Sequence, residues 1–539
     1  MERKYIIGIV VLLVIIIIAA IAITQGNSSN RADDELVVAL SVHGGEPEGG
    51  FDPITGWATG TEPLIQSTLF KRDANATLVN DLATGYNTSS DFKTYTVNIR
   101  DGVKFTDNSS LTAEDVAFTY NKAKESGASA DLSTMDNATA VNDTTVQFTL
   151  NKPDSTFINK LTQVGIVPSD SYNNETYGEH PVGSGPYKLV QWDKGQQVIL
   201  ERNDDYYGTK PYYRKITNLF LDSESAYAAA KNGEVDVAEV PVQYAHENIT
   251  GMHTEVYQSL DVRGISLPVV NNTGQTSKSG SSIGNNVTAD PAIREALNVG
   301  INRSQIIQTA FNGYAEPAYS GIASSVPWSS NYTVADGDVD QAKQILADAG
   351  WTDTNGDGIV EKDGQPAQFE LDYSSSDASR QAMAVGVSEQ AKKIGINVTP
   401  KGSTWDEMDK VANSNPIVFG FGSLDPYIIY QLYDSEGAGN GYNDPGMLND
   451  SELDSLIDTA MSQDVNSSYS TWSQALARGD EDNSWLWVAS MDYILFVSDD
   501  VDISNSTHTV YPHGGDAWGN IYDWKHVETN ETNSTNSTK

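Results

Sequence analysis

The chain has 539 residues, among them 73 acidic and 33 basic side chains, and it contains no cysteine. This length exceeds the size at which one hydrophobic core usually stops growing, so we expect at least two lobes. A formal net charge of −40 argues against nucleic acids as partners, because so acidic a surface repels phosphate backbones. The absence of cysteine excludes disulfide bonds and a lipid anchor on an N-terminal cysteine.

An apolar segment follows a short charged start. Arg3 and Lys4 precede an almost unbroken hydrophobic run, Tyr5–Ile23. Such a run approaches the thickness of the hydrocarbon core, and the positive-inside rule places the residues after it on the outer side. Residues 1–26 are interpreted as an uncleaved signal anchor or, alternatively, as a cleaved signal peptide, whose apolar core is usually shorter. With either interpretation the bulk of the protein is expected outside the cytoplasm, after a polar linker at 27–34.

Asn-x-Ser/Thr sequons recur through the chain and support the outward location. A single sequon arises readily by chance, but their density here is typical of a glycosylated cell surface. The polar, low-complexity tail at 527–539 is predicted to be disordered. Examples of the sequons begin at Asn75, Asn87, Asn137, Asn174, Asn248, Asn331, Asn397, Asn505, Asn530, Asn533 and Asn536.

The predicted elements alternate between strands and helices. The chain opens with a buried strand at 35–40, and the residues at 94–100 and 144–150 alternate in polarity as strands do. Thr112, followed by acids in the first turn, starts a helix between them. This order predicts α/β lobes, with a loop at 271–289. Further predictions are a hairpin of 186–192 and 197–201, helices at 224–232, 291–311, 338–349, 377–395, 451–463 and 468–480, and apolar runs at 234–240, 368–373, 396–399 and 416–421.

The sequence offers no convincing catalytic constellation. None of the seven histidines stands in an HExxH motif, and no Walker loop is present. Pairs of carboxylates are abundant, but in a chain this acidic they carry almost no information. We therefore expect a protein that is not an enzyme and that has no cofactor.

An aspartate-rich loop at 353–359 has the start of a calcium-binding loop. Asp353 and Asp357 occupy the first and fifth positions, and Glu361 occupies the ninth. The twelfth position, which should be a bidentate acid, is Gly364. Two interpretations remain open, a calcium loop without its best ligand and a plain hairpin, and the missing acid favours the hairpin.

Several ordered stretches resemble the family 5 extracellular solute-binding proteins, which are the dipeptide, oligopeptide and nickel receptors of ATP-binding-cassette importers. The most specific stretch is TYTVNIRDGVKFTDNSSLTAEDVAFTY at 94–120, in which Asn108 replaces the usual glycine. The resemblance extends from about residue 35 to residue 501. Its other stretches are 180–211, 228–241, 290–318 and 342–366, and the last of these contains the aspartate-rich loop.

The resemblance implies a two-lobed α/β fold like that of periplasmic binding proteins, of type II and with an extra subdomain, preceded by one N-terminal transmembrane or signal helix. Two crossing strands, near 263–270 and 494–501, would act as the hinge on which the lobes close over the ligand. Closure would be the state that the transporter recognises. The implied organisation is lobe I at 35–268 with a subdomain at about 71–185, lobe II at 269–497, and a return to lobe I at 498–526.

The resemblance also implies a binding cleft rather than a reaction centre. In peptide-binding relatives an aspartate in the loop that matches Asp425 pairs with the α-amino group of the ligand. Trp405 matches a tryptophan that walls the side-chain pockets, and Phe421 stands close to the place of a second one. Tyr427 and Trp57 complete the candidate ligand-binding residues, and no catalytic or metal-ligating residue is predicted.

A short peptide is the first ligand that the resemblance implies, with permease subunits in the membrane as partners. A nickel ion or another metal in a small chelator is the first alternative. Nickel receptors often carry a histidine shortly after the Asp-Pro loop, and residues 427–460 contain none. An oligosaccharide is the remaining alternative.

Overall fold

The computed structural model describes residues 31–40, 46–59, 62–128, 130–507, 510–515 and 517–527. The predicted anchor at 1–26, the first part of the linker and the tail after Val527 lie outside these residues. Among the residues that are described, no helix is both long enough and apolar enough to cross a membrane.

An eight-stranded sheet, here called the large sheet, is assembled from both ends of the chain. Its first strand, Glu35–Ala39, runs parallel to both of its neighbours and is buried along most of its length. Parallel strands need cover on both faces, and helix Ser223–Lys231 supplies part of it through buried alanines. In spatial order the strands are Val510–Tyr511, Met252–Ser259, Tyr493–Ser498, Val237–Val240, Glu35–Ala39, Lys215–Leu219, Gln197–Arg202 and Tyr187–Asp193.

A four-stranded sheet, the second sheet, forms the core of the other half. Helices Pro291–Gly300 and Ala378–Ala391 contribute to the same buried cluster as its strands, through side chains such as Ile293 and Val387. A parallel pair, Gln368–Ser374 with Asn397–Ser403, joins this cluster. In spatial order the strands of the second sheet are Ala315–Pro317, Trp485–Met491, Val262–Ser266 and Val418–Phe421.

A third, antiparallel sheet, the outer sheet, carries helix Ala113–Ser126 on one face. The helix begins as predicted, because the Thr112 amide donates to Asp115 Oδ2 over 2.8 Å, and it ends at Gly127 in a left-handed conformation. Its buried side chains share a core with the strands. In spatial order the strands are Ala83–Thr88, Thr94–Ile99, Thr145–Leu150 and Met135–Asn142.

Asn108 keeps the turn for which relatives use glycine. Its φ of 71° lies in the left-handed region, which asparagine tolerates better than most residues with a side chain. The Asn108 amide donates to the Phe105 carbonyl over 2.9 Å, which closes the turn. The replacement of glycine therefore leaves the turn intact.

The long helix predicted at 291–311 is two helices, Pro291–Gly300 and Arg303–Ala310. The first helix ends where Ile301 turns extended, and Asn302 caps the second, because its side-chain oxygen accepts a hydrogen bond from the Gln305 amide over 2.8 Å. Apolar periodicity continues through the break, which is why the sequence pattern did not show it.

The remaining predicted helices and strands are present with boundaries shifted by a few residues. The loop predicted at 271–289 contains no helix or strand. The other helices are Phe157–Lys160, Val339–Asp348, Trp405–Met408, Ile428–Tyr433, Ser451–Met461 and Val465–Glu481, with short 3-10 turns at Pro53–Thr55, Val242–Tyr244, Lys392–Ile394 and Trp518–Tyr522. Short two-stranded pairs are Phe70–Arg72 with Leu78–Asn80, Glu361–Lys362 with Gln365–Pro366, and Val501–Asp502 with Lys525–His526.

The chain passes between the large and second sheets twice. It leaves the large sheet after Ser259 and enters the second sheet at Val262, and it returns between Met491 and Tyr493. Both crossings lie earlier than the ranges expected from the resemblance, 263–270 and 494–501. The expected ranges instead overlap the strands that follow the two crossings, Val262–Ser266 and Tyr493–Ser498.

Candidate functional site

A buried cluster of charges lies where the chain crosses between the sheets. The Asp261 side chain is completely enclosed. Arg263 Nη2 donates to Asp261 Oδ2 over 2.8 Å, and the Tyr493 hydroxyl donates to the same oxygen over 2.9 Å. His513 Nδ1 lies 2.9 Å from the other oxygen, Oδ1. The cluster thus joins both crossings to the segment that contains His513, just after strand Val510–Tyr511 of the large sheet.

The charges of the cluster stabilise one another. Burial by itself would raise the pKa of Asp261, but Arg263 and His513 hold it well below the usual range for an aspartate. Burial would lower the pKa of Arg263, and Asp261 and Asp377 raise it instead. Asp261 and Arg263 therefore stay ionised throughout the physiological pH range.

A second buried arginine adjoins the first. Asp377 caps helix Ala378–Ala391 and accepts a hydrogen bond from Arg380 Nε over 3.0 Å, while Arg380 Nη1 donates to the Val418 carbonyl over 2.8 Å. Burial, with the positive charge of Arg263, lowers the pKa of Arg380 to about 10. The two guanidinium groups therefore lie close enough for the charge of Arg263 to disfavour that of Arg380, which Asp377 and Asp261 partly offset.

Arg263 retains donors that the described residues do not use. Its Nε and Nη1 atoms are buried and make no hydrogen bond within the described part of the chain. Asp377 Oδ2 lies 3.9 Å from Nη1, beyond hydrogen-bond distance. A buried donor without an acceptor costs about 1–3 kcal/mol, and more when it is charged, so an acceptor from a ligand would be stabilising.

Four aromatic side chains, Trp405, Phe419, Phe421 and Tyr442, stand beside these arginines and are called the aromatic wall. Trp405 is 41% exposed, and the Arg380 guanidinium lies 5.3 Å from its ring centre. Phe419 meets Trp405 edge-on at 5.7 Å, stacks on Tyr442 at 4.5 Å and contacts Phe421 at 5.0 Å. An exposed tryptophan held in place by such neighbours is a surface suited to covering a ligand.

The loop that carries Asp425 contacts helix Phe157–Lys160 beside the outer sheet. Asp425 Oδ1 accepts hydrogen bonds from the Tyr427 amide and from Asn159 Nδ2, each over 3.1 Å. Arg72 Nη2 in turn donates to Asn159 Oδ1 over 2.7 Å and to the Leu424 carbonyl over 3.2 Å. Asp425 is therefore held by neutral donors at the meeting of two parts of the molecule.

The surroundings of Asp425 favour its protonated form. Burial raises the pKa of Asp425 to about 6, and Lys160 and the Tyr427 amide offset only part of this effect. The Lys160 ammonium lies 3.7 Å from the Tyr427 ring centre and 3.1 Å from Asp154 Oδ2. Its positive charge is therefore paired mainly with Asp154, not with Asp425.

Further contacts extend this junction into a continuous seam. The Ser155 amide donates to the Met461 carbonyl over 2.9 Å, and Lys152 Nζ lies 2.7 Å from Glu436 Oε2. We call the contacts of Arg72 and residues 152–160 with residues 424–436 and 460–461 the closure seam. They hold the segment beside the outer sheet against the half built on the second sheet.

A cavity of about 680 Å³ opens next to the closure seam. Its volume lies within the range of about 300–1,000 Å³ that is usual for small-molecule sites. Its walls combine polar side chains from the Phe70–Asn80 hairpin with aromatic rings from other segments. Lining residues include Arg72, Tyr86, Asn159, Trp328, Leu424 and Tyr469.

Four of the residues predicted from the sequence fall into these two places. Trp405 and Phe421 belong to the aromatic wall, and Asp425 and Tyr427 belong to the closure seam. Their roles toward a ligand stay predictions.

The structure does not bring Trp57 together with the other four residues. Trp57 is 4% exposed, and its ring packs edge-on against Phe51 at 4.7 Å and Trp518 at 6.3 Å in the core beside the large sheet.

The charged cluster was missed by the sequence reasoning. Asp261 and Arg263 stand in the apolar stretch LDVRGIS, and charged residues in such a stretch are a signal, because charges are seldom buried without partners. His513 gave no such signal, since its segment, YPHGG, reads as an ordinary turn. Only the fold brings it to residue 261.

Two sequence motifs lie outside the site. Carboxylate oxygens of Asp353, Asp357 and Glu361 come within 4.8 Å of one another. Asp353 accepts hydrogen bonds from the Gly356 and Gly358 amides over 2.7 and 3.0 Å, so the loop already uses these oxygens. A G-x-S-x-G spacing at 280–284 lies in a loop, not at the strand-to-helix turn of a nucleophile elbow.

Comparisons with known proteins agree with this architecture. Residues 77–440 match the family of bacterial extracellular solute-binding proteins, family 5 Middle. The chain is 29% identical to protein XP55 of Streptomyces lividans over 90% of both chains. It is 30% identical to the oligopeptide-binding protein AppA of Bacillus subtilis over 70% of this chain and 74% of AppA.

Two solved structures have the same fold. AppA from Bacillus subtilis in complex with a nonapeptide superposes with a TM-score of 0.73 and 26% identity, over 92% of this chain and 99% of that one. NikZ from Campylobacter jejuni in complex with Ni(L-His) superposes with a TM-score of 0.77 and 23% identity, over 92% of this chain and 100% of that one. The family match over most of the chain, the identity to AppA and the shared two-lobed fold together show that this chain belongs to the family 5 extracellular solute-binding proteins of ATP-binding-cassette importers.

Proposed function

We propose that this receptor captures short peptides by closure of its two lobes and delivers them to its permease while residues 1–26 tether it to the outer face of the membrane. The oligopeptide-binding relative AppA supports the ligand class. The lobe boundaries expected from the sequence, 268/269 and 497/498, would divide the two sheets wrongly, because strand Val262–Ser266 lies in the second sheet and strand Tyr493–Ser498 in the large sheet. The proposed lobes are therefore 35–259 with 493–526, around the large sheet, and 262–491, around the second sheet. The proposed hinge consists of the two crossings, at residues 260–261 and at residue 492.

The observation that carries the proposal is the pair of buried arginines beside the aromatic wall. Arg263 has two buried nitrogens without acceptors, and Arg380 lies close enough to have its pKa lowered. The C-terminal carboxylate of a peptide would supply the missing acceptor. The exposed face of Trp405 would cover a neighbouring side chain of the same ligand.

Asp425 is the proposed partner of the peptide α-amino group. Burial raises its pKa, and a further cation nearby would stabilise its ionised form. The ammonium would share the carboxylate with Asn159, which already donates to Oδ1. Pro426 restrains the backbone before it and favours an extended conformation at Asp425.

Calorimetry with one peptide in four forms tests both ends separately. The forms are the free peptide, its N-acetyl derivative, its C-terminal amide and the doubly blocked peptide. Removing one partner of a desolvated charged pair typically costs about 2–5 kcal/mol, so we expect each single block to weaken binding by roughly 30-fold or more. Equal affinity of the free and amidated peptides would contradict the arginine assignment, and equal affinity of the free and acetylated peptides would contradict the role of Asp425.

Variants locate the two effects on the protein. Arg380→Gln should remove the penalty for amidation and leave the penalty for acetylation, whereas Asp425→Asn should do the reverse. Lys401→Gln is the matched control, because Lys401 is an exposed cation paired with Glu370 at 3.3 Å on the neighbouring strand. It should change neither penalty.

The tether is tested by fractionation. Protein from cells should stay with the membrane through high-salt washes and should retain its N-terminal residues. Recovery of a free protein that begins near residue 27 would contradict the tether without affecting the ligand assignment.

A metal chelate is the second candidate, and His513 is the observation that favours it. The sequence offers no histidine at 427–460, but the fold places His513 beside Asp261, with its ring 6.3 Å from that of Phe419. A carboxylate at Nδ1 orients an imidazole so that Nε2 can bind a metal. NikZ, whose fold is similar, was solved in complex with Ni(L-His).

Titration with nickel and free histidine separates the two candidates. A chelate receptor should bind nickel with histidine more tightly than either component alone, and His513→Ala should abolish that difference. Tight binding of peptides that His513→Ala leaves unchanged would contradict the chelate proposal.

A further inference from the structure

Asparagines that stand in sequons remain at the surface of the fold. Every Asn-x-Ser/Thr asparagine among the described residues, from Asn75 to Asn505, is exposed or partly exposed. Buried asparagines behave differently, since none of them is followed by serine or threonine two positions later. These buried residues are Asn159, Asn203, Asn218, Asn298, Asn413 and Asn520.

The side-chain nitrogen Nδ2 separates the two groups further. Each of the buried asparagines donates a hydrogen bond through Nδ2, for example Asn203 to the Gly185 carbonyl over 2.9 Å. Within the described ranges, no sequon asparagine donates a hydrogen bond through this atom. Exposure alone does not explain the contrast, because exposed Asn80, which has no sequon, donates through Nδ2 to the Thr84 carbonyl over 3.1 Å.

The fold does use the side-chain oxygens of sequon asparagines. Asn302 Oδ1 accepts from the Gln305 amide over 2.8 Å, and Asn286 Oδ1 accepts from the Asn272 amide over 3.0 Å. An asparagine that carries a sugar keeps this carbonyl oxygen and loses only a hydrogen from Nδ2. The pattern of use therefore matches the chemistry of N-glycosylation, which occupies the nitrogen and spares the oxygen.

Two sequon asparagines line the cavity beside the closure seam. Asn75, in the sequon Asn75-Ala76-Thr77, lies in the turn between strands Phe70–Arg72 and Leu78–Asn80. Asn466, in the sequon Asn466-Ser467-Ser468, lies in the first turn of helix Val465–Glu481. Both are exposed, and both line the cavity of about 680 Å³.

We propose that the exported protein is N-glycosylated on its surface sequons, and that glycans on Asn75 and Asn466 flank the mouth of this cavity. In each transfer Nδ2 forms a bond to the anomeric carbon of a sugar and loses one proton. The bond between that carbon and a phosphate oxygen of a lipid-linked oligosaccharide donor breaks. The lipid phosphate leaves with the electron pair, and it balances the proton released.

Glycopeptide mass spectrometry of protein purified from its own cell envelope tests the proposal. Peptides that contain Asn75 and Asn466 should carry the mass of an oligosaccharide, with fragment ions that place it on these residues. Asn80, in the same hairpin as Asn75, is the internal control and should be unmodified. Recovery of the Asn75 and Asn466 peptides only at their unmodified masses would overturn the proposal for the cavity, and unmodified masses at all sequons would overturn it entirely.

Substitutions at Thr77 test the dependence on the sequon without touching the asparagine. Thr77→Ala should remove the oligosaccharide from Asn75 alone, and Thr77→Ser should keep it. Thr77 is exposed, so the free energy of unfolding of the unglycosylated polypeptide should be nearly the same in both variants. Persistence of the modification in Thr77→Ala would show that the added mass is not an N-linked glycan.

Discussion

Asp261 and Asp425 are both buried aspartates, yet their surroundings shift their pKa values in opposite directions. Asp261 faces the Arg263 guanidinium and His513, and its pKa lies well below the usual range. Asp425 accepts hydrogen bonds from neutral amides, and burial raises its pKa to about 6. Burial is common to both, so the charge of the nearest donors decides which protonation state each site prefers.

The two sites also differ in what they connect. Asp261 lies on a crossing between the sheets, and its partners Arg263 and Tyr493 belong to the strands that adjoin the two crossings. Asp425 lies in the closure seam, where its partner Asn159 belongs to a different part of the molecule. The proposed hinge therefore contains a carboxylate that stays ionised, whereas the seam contains a carboxyl group that can change its charge near pH 6.

The largest expected effect follows from removal of the charge at the hinge. Asp261→Asn leaves the buried Arg263 without its counter-charge, which typically costs about 3–5 kcal/mol of the free energy of unfolding. Chemical denaturation measures the loss. Asp204→Asn is the matched control, because Asp204 pairs with Arg202 at 3.1 Å and is 67% exposed, so its removal should leave the free energy of unfolding nearly unchanged. A similar small loss in both variants would contradict the view that Asp261 stabilises the fold through a buried charge pair.

The next effect is a pH dependence that belongs to Asp425. Its pKa in the folded protein, raised by burial to about 6, exceeds the value of about 3.9 for an unfolded chain. The stabilisation is therefore complete below about pH 4 and is lost as the pH rises through about 6, by up to about 2–3 kcal/mol. Thermal unfolding of the wild type and of Asp425→Asn should be measured from pH 4 to pH 7.5. The stability of the wild type relative to the variant should be highest at low pH and should fall as the pH rises through about 6. A constant difference would show that Asp425 is ionised throughout.

Asn159→Ala tests the donor side of the seam. The change leaves the Asp425 and Arg72 side chains each without one hydrogen-bond partner, and we expect a cost of about 1–3 kcal/mol. Because Asn159 joins two parts of the molecule, small-angle scattering should also show a larger radius of gyration. Asn151→Ala, which removes an exposed hydrogen bond to the Ser133 carbonyl over 2.8 Å, is the control and should change neither quantity appreciably. An unchanged radius in Asn159→Ala would argue that the seam contacts do not hold the two parts of the molecule together.

The smallest effect concerns salt. A net charge of −40 should make the whole protein more stable as added salt screens surface repulsion, with a gain of a few degrees in Tm between about 0.1 and 1 M. The cost of Asp261→Asn should change little over the same range, because buried pairs are screened much less than exposed ones. A cost that falls steeply with salt would mean that water reaches the hinge cluster.

Local features of the fold could be read from the sequence. Thr112 and Asp115 start a helix through contacts only three residues apart, and the alternating stretches at 94–100 and 144–150 became neighbouring strands. The family resemblance supplied the two-lobed arrangement in the same way, through stretches whose order is fixed along the chain. Such signals need no knowledge of distant contacts.

The charged cluster could not be read in this way, because its members are far apart in the chain. Asp261 meets Tyr493 and His513 only after the returning strand has taken its place in the large sheet. The surroundings of Asp425 show the same limit, because its partner Asn159 comes from a helix that no local pattern connects to it. Trp57 was predicted to bind the ligand but lies in the core, because an aromatic residue gives the same sequence signal in a core as in a cleft.

The place of strand Tyr493–Ser498 in the large sheet has a consequence for biosynthesis. This strand lies between Val237–Val240 and Met252–Ser259, yet it is among the last segments to leave the ribosome. At typical elongation rates of about 5–20 residues per second, the edges that receive it wait on the order of 10–50 s. Throughout that interval the backbone groups that this strand will pair with have no partner from it, so the two edges stay open to pairing with another chain until the strand arrives.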